Sequence, residues 1–296
     1  MVARMRTPIA CLGLMLCIGT AQAFDLGQVL NAVGQQMQKP QQQENQPASA
    51  SDLIKSGIDM MAGAAGCSEQ EEAAIGQQIA GNLLGASPLV KDRRLQKYVN
   101  NVGRWVASQS ERPDLEWHFG VIESNDINAF AAPGGYIFIT RGLYRLLQNE
   151  AELAGVLGHE IGHVIRKHHL KILQQSKMVD FGGKLLAMKA GGSNSNIQGL
   201  IGSGAEIVSR SLDKNAEFEA DRIAMVLTAR AGYDAYALPE VLQQIGHVGS
   251  ADSSVALLFK THPHPDERLA QLGDAVDSRF DNLKGQTLAG RFYRIK

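Results

Sequence analysis

The stretch from Asn149 to Ile165 constrains this chain more than any other. It reads as one long, apolar helix that carries His159-Glu160-Ile161-Gly162-His163 in its interior. Asn149 stands where an N-cap belongs, with Glu152 three residues on. Leu153, Val156, Leu157, Ile161, Val164 and Ile165 fill the apolar positions. At 3.6 residues per turn, His159 and His163 emerge one above the other on the same face, and two imidazoles so placed can share one metal ion. Glu160 is rotated about 100° from His159, so it can reach a water beside the ion without ligating the ion itself. Two ligands and a general base in this order are the working parts of metal-assisted peptide hydrolysis. On an ordinary helix the same residues would be two surface histidines and an acid. Gly155, Gly158 and Gly162 argue for close packing, because each costs a helix interior about 1 kcal/mol relative to alanine and all three fall on one stripe.

A catalytic zinc takes three protein ligands and keeps one open position, so a third ligand is needed. His169 stands at the spacing where metzincins place their third histidine, but the glycine that turns the chain there is replaced by Arg166. Along a continuing helix His169 would lie about 15 Å from His159. His168 and His169 therefore read as a solvated helix end. The better candidate is Glu217, in Asn215-Ala216-Glu217-Phe218-Glu219-Ala220-Asp221. Glu217 and Asp221 are one turn apart on a helix whose other face carries Ile223, Ala224 and Leu227. Glu217 can close the coordination while Asp221 accepts a hydrogen bond from a ligating histidine and fixes its tautomer.

The rest of the chain frames this motif. Arg4 and Arg6, the short apolar run Ile9 to Ile18 and Ala21-Gln22-Ala23 have the form of a secretory leader cut after Ala23. The run is well below the roughly 20 residues a spanning helix needs. Cleavage would remove Cys11 and Cys17 and leave Cys67 as a free thiol. Residues 24–66 are mostly Gln- and Pro-rich linker, and 67–296 form the functional domain. Ser68-x-x-Glu71 opens a first helix, and Ser87-Pro88 a second with Leu95, Val99, Val102 and Val106 on one face. Trp117 to Ile122 alternates like a strand, and Pro133-Gly134-Gly135 turns into another at Tyr136 to Thr140. Helix dominates after Arg141, so the class is α+β with a small sheet. The Gly-rich stretch 182–204 suits a mobile cover. Trp105 and Trp117 are placed in the core, and His118, His247 and His264 at structural or solvent-facing positions.

With 29 Lys+Arg against 30 Asp+Glu, the chain lacks the basic excess of a nucleic-acid binder. Its 44% apolar content suffices for a core.

Together, His159-Glu160-Ile161-Gly162-His163 and Glu217-x-Glu219-Ala220-Asp221 resemble the gluzincin zinc metallopeptidases related to the CAAX prenyl endopeptidases. The resemblance runs from Asn128-Ala129-Phe130-Ala131-x-Pro133-Gly134-Gly135 to Thr261-His262-Pro263 and Arg268. It departs at Asp213-Lys214, where many members have Ser-Arg. It also lacks the spanning helices of the integral-membrane members and any tetratricopeptide repeats, so the chain looks like a minimal member of the soluble periplasmic branch.

The resemblance implies a mostly helical zincin-type domain with a small mixed or antiparallel sheet. It implies one zinc per chain on His159, His163 and Glu217, with Glu160 as general base. Asn128, Ala129, Phe130 and Ala131 would form the edge strand that pairs with extended substrate. His262, with Arg268 nearby, would steady the oxyanion or hold the enzyme latent; a purely structural loop histidine is the other reading. Substrates would be unfolded or misassembled cell-envelope polypeptides, including outer-membrane proteins or their assembly machinery. The competing class is a periplasmic chaperone or assembly factor with a latent or structural metal site, which would have no need of Glu160.

Overall fold

The computed structural model describes residues 68–173, 212–249, 252–276 and 278–295. The leader, the linker, Cys67 and the Gly-rich stretch 182–204 lie outside the described residues.

Helix α1 (Glu69–Ala86) opens on a reciprocal capping box. The Ser68 hydroxyl accepts from the Glu71 N–H at 3.2 Å, and the Glu71 carboxylate accepts from the Ser68 N–H at 2.9 Å. Helix α2 (Arg93–Ala107) begins later than Ser87-Pro88. Asp92 is its N-cap, accepting from the N–H groups of Arg94 and Leu95. The residues before it run extended along the sheet, with Val90 N–H donating to Val121 O at 2.9 Å and Glu123 N–H to Pro88 O at 2.8 Å. Sheet pairing and a carboxylate cap together outcompete the proline start.

Three strands follow: β1 (His118–Ile122), β2 (Ala129–Ala132) and β3 (Tyr136–Thr140). Their order is β1-β3-β2, with β1 parallel and β2 antiparallel to β3, so the sheet is mixed. Because side chains alternate along a strand, the sheet serves two cores. Val121, Ala129, Ala131, Ile137 and Ile139 face α2 and the long central helix. Ile122, Phe130, Ala132 and Phe138 face Ile79 and Leu83 of α1.

Short α3 (Arg141–Leu146) leads into that central helix, α4 (Glu150–Ile165), in which every residue from Glu150 to Val164 is buried. A helix enclosed on all sides explains why its apolar residues are not confined to one stripe. Around it lie α5 (Lys214–Arg230), α6 (Ala237–Gly246), α7 (Ala256–Thr261) and α8 (Pro265–Val276). The class is α+β, mostly helical. Among the described residues, no helix is long and apolar enough to cross a membrane. Trp117 is buried as expected. Trp105 is not: it is 51% exposed, and its indole N–H donates to the Ala231 carbonyl at 2.9 Å, so it caps a helix end rather than filling the core.

One buried acid ties these parts together. Glu72 of α1, 1% exposed, accepts from Arg112 at 2.8 Å, from the Gly134 N–H at 3.2 Å and from Lys167 at 3.0 Å. Burial opposes its ionisation, but the hydrogen bonds from Arg112, Lys167 and Gly134 prevail and hold its pKa below the usual carboxylate value. A lowered folded-state pKa contributes stability that is present above the unfolded pKa and lost as pH falls through the folded one. Glu72→Gln should therefore cost about 3 kcal/mol near neutral pH, the loss expected on breaking a buried ion pair. In urea melts the gap between variant and wild type should close as pH falls below the ordinary carboxylate range. A gap that stays constant with pH would mean that the carboxylate charge does not hold this junction.

Candidate metal centre

Helices α4 and α5 run antiparallel in close contact, and glycine permits the approach. A Cβ on Gly162 would stand 3.1 Å from the Ala220 Cα, and one on Gly158 would stand 3.3 Å from the Ala224 Cα. With Gly162 opposite Ala220 and Gly158 opposite Ala224, the register sets His163 against Glu217 and His159 against Asp221. The i, i+4 pairs of both helices thus meet without any loop residue having to fold between them.

The donor atoms converge. His159 Nε2 and His163 Nε2 are 2.9 Å apart, and Glu217 lies 3.6 Å from the first and 3.5 Å from the second. His262, just after α7, places Nδ1 2.6 Å from Glu217 Oε2. One donor atom from each of these four residues lies within 4.8 Å of every other. Ligands about 2.0–2.1 Å from a tetrahedral zinc are separated by about 3.3 Å, and the observed spacings fall on either side of that value. Glu217 is fully buried, and its Oε1 has no hydrogen-bond partner among the described residues. A buried carboxylate oxygen left over beside two imidazole nitrogens is the chemistry a cation completes. The residues present fit a divalent metal ion.

The surroundings fix the proton positions. Asp221 accepts from His159 Nδ1 at 2.8 Å and receives the Arg268 guanidinium, whose Nε lies 2.9 Å from Oδ2. Burial pushes the Asp221 pKa up, but Arg268 and His159 more than offset it and bring it down to about 2. An ionised Asp221 can only accept, so the proton sits on His159 Nδ1 and Nε2 faces the cluster. Burial and Arg268 disfavour charge on His159, yet Asp221 and Glu217 carry its pKa to about 9. The site therefore favours positive charge between the rings. Burial raises the pKa of Glu160, against the opposing pull of His159 and His262. A carboxylate whose pKa is raised in this way is a stronger base than an exposed one, as a general base requires.

Other sequence-based expectations fare differently. Asn128 immediately precedes β2, which includes Ala129, Phe130 and Ala131 and lies at one edge of the sheet. Arg268 is buried behind Asp221 rather than facing the donor cluster directly. His168 and His169 are not solvated. They are 4% and 8% exposed, because α4 stops at Ile165 and Lys167 takes a left-handed backbone, φ 55°. Residues 168–173 are helical again, and the reversal brings the rings of His168 and His169 to 5.1 and 5.7 Å from that of His163. Burial lowers the His169 pKa to about 4. Glycine would have advertised this turn, whereas a lysine in the left-handed region has no sequence signature.

A three-stranded mixed sheet beside a buried helix bearing His-Glu-x-x-His, with a glutamate delivered from a second long helix, defines a zincin-type metallopeptidase architecture. The profile of peptidase family M48 matches residues 93–276, more than half of the sequence. The chain belongs to peptidase family M48. It is 32% identical over 230 residues to the β-barrel assembly-enhancing protease of Yersinia pestis, covering 75% of this chain and 46% of that protein. The protein of the same name in Escherichia coli K12 is 31% identical over 209 residues, 68% of this chain and 42% of the relative. The Arabidopsis thaliana mitochondrial metalloendopeptidase OMA1 is 26% identical over 200 residues, 63% of this chain and 37% of the relative. The chain thus spans less than half the length of these relatives.

Gly162→Val tests the helix contact. Its methyl groups would press on the Ala220 backbone, and overpacking of this kind costs about 1–3 kcal/mol. A lower midpoint in a denaturant melt is expected; a midpoint equal to wild type would show that the two helices have room to separate.

Proposed function

We propose that the chain is a zinc-dependent metalloendopeptidase with one zinc held by His159, His163 and Glu217. The observation that carries this reading is the convergence of two Nε2 atoms, from the helix that also carries Glu160, and a buried carboxylate oxygen without a partner among the described residues. When bound, zinc supplies Lewis-acid activation of water and of the scissile carbonyl. Glu160 takes the proton of the attacking water and returns it to the departing amine. Asp221, braced by Arg268, holds the His159 tautomer. The edge strand from Asn128 to Ala131 aligns an extended polypeptide by backbone pairing. His262, hydrogen-bonded to Glu217, restrains the site in this arrangement.

Two of the relatives are named for enhancing β-barrel assembly, and this supports proteolysis linked to that process; the substrates we propose are unfolded or misassembled cell-envelope polypeptides, including outer-membrane proteins. The leader-like N-terminus supports export to the periplasm with cleavage after Ala23. A binding protein with a latent site is the weaker reading, because it gives Glu160 no task.

Glu160→Gln should keep one zinc per chain by metal analysis and lose denatured-casein cleavage by about 10²–10⁴-fold, the usual contribution of a general base. Glu217→Ala should lose the metal. Unimpaired cleavage by Glu160→Gln would remove that residue from the chemistry. His262→Ala should raise turnover of the same substrate by freeing the Glu217 carboxylate; a drop would instead mark His262 as an oxyanion donor.

A further inference from the structure

The two central histidines are braced differently. His159 leans on Asp221, which is held by Arg268. Among the described residues, no carboxylate meets His163 at its Nδ1. What stands there is His168, with the two Nδ1 atoms 2.9 Å apart. Behind His168, its Nε2 lies 3.3 Å from Glu219 Oε2, and Glu219 Oε1 is 3.0 Å from the Arg166 guanidinium. Two relays thus run outwards from the cluster, each passing through an acid of α5 and ending on an arginine.

Only one proton arrangement satisfies the second relay while leaving His163 Nε2 able to donate a lone pair. His163 Nδ1–H donates to His168 Nδ1, and His168 Nε2–H donates to Glu219. In the reverse arrangement His163 would carry its proton on Nε2, pointing at His159 Nε2 and Glu217. Which nitrogen holds a proton is set by the hydrogen bond made by the other. Placing His168 also requires the left-handed backbone at Lys167, which costs roughly 1 kcal/mol or more for a residue with a Cβ. The Lys167 ammonium is secured on Glu72 at 3.0 Å. Strain held by a buried anchor beside a candidate site points to a task for the turn.

We infer that His168 is a positioning residue for His163, accepting the hydrogen bond of its Nδ1–H and, through Glu219, locking the ring so that Nε2 faces the metal. The inference rests on the metal-centre reading given above. Loss of such outer partners typically costs 10–100-fold in metal affinity.

The test is zinc affinity by competition with a chromogenic chelator, together with melting of the metal-free and zinc-loaded proteins. His168→Leu should bind zinc about 10–100-fold more weakly and narrow the gap between loaded and metal-free melting, with the metal-free midpoint unchanged. His168→Asn places an amide oxygen where Nδ1 was and should recover most of the loss. Glu219→Gln, at a half-exposed position, should give a smaller loss. Equal affinities in wild type and His168→Leu would overturn this inference alone. So would a loss that Asn does not recover and that accompanies an equal fall in metal-free stability, since that is the mark of a packing residue. Wild type that takes up no zinc would overturn the metal-centre reading along with it.

Discussion

Everything at the centre depends on how closely α4 and α5 approach. Helix axes separated by ordinary side chains lie roughly 8–10 Å apart, and only glycine or alanine on the facing stripes allows the near side of that range. Gly158 and Gly162 opposite Ala224 and Ala220 meet this condition. The consequence is chemical as well as mechanical. A glutamate side chain has limited reach, so Glu217 meets both Nε2 atoms only if its backbone is carried in close. The helix-propensity cost of the glycines, about 1 kcal/mol each, is therefore the cost of bringing donors from two helices to one point. The antiparallel register does the rest, because i, i+4 pairs on both helices fall into line.

The second constraint is charge. Glu160, Glu217 and Asp221 are all at most 3% exposed, and among the described residues Arg268 is the one guanidinium buried with them. Isolated buried charges are not tolerated; such groups pair, shift their pKa or coordinate a metal. Three carboxylates against one guanidinium leave a surplus of two negative charges. Protonation can relieve part of it, and the raised pKa values of His159 and Glu160 show the structure drawing protons in. A divalent cation relieves all of it at once. The same surplus makes His262 Nδ1 a natural companion for Glu217, since a donor near an underpartnered carboxylate is stabilised wherever it comes from.

Much of this was legible in the sequence, because it rests on periodicity. The α4 helix and its Asn149 cap, the i, i+4 pairs on α4 and α5, the strand at Tyr136–Thr140 and the α+β class all follow from spacings of 2 and 3.6 residues. What escaped is what tertiary contacts decide. Helix α2 starts at Arg93 because residues 88–90 find a strand edge to pair with, a partner far away in sequence. Trp105 stays at the surface because a carbonyl of α5's C-terminal end receives its N–H. The burial of His168 and His169 depends on one backbone angle at Lys167, a position with no glycine or asparagine to announce it. Distances read along a straight helix failed there because the helix had already ended.

The Lys167 turn also explains a part of the fold that supplies no residue to the cluster. Helix α1 lies before the matched family region, which begins at residue 93. Through Glu72 it nonetheless holds three separate places: Arg112 ahead of β1, Gly134 in the turn between β2 and β3, and Lys167 beyond α4. Gly134, with φ 73°, and Lys167, with φ 55°, are both in the left-handed region that resists most side chains. One carboxylate thus stabilises the turn that sets the edge strand and the turn that carries His168 back to His163. Because Glu72 is buried and would be costly to leave unpaired, the two turns cannot relax independently. The geometry of the strand edge and that of the histidine cluster are coupled through a single buried acid on α1.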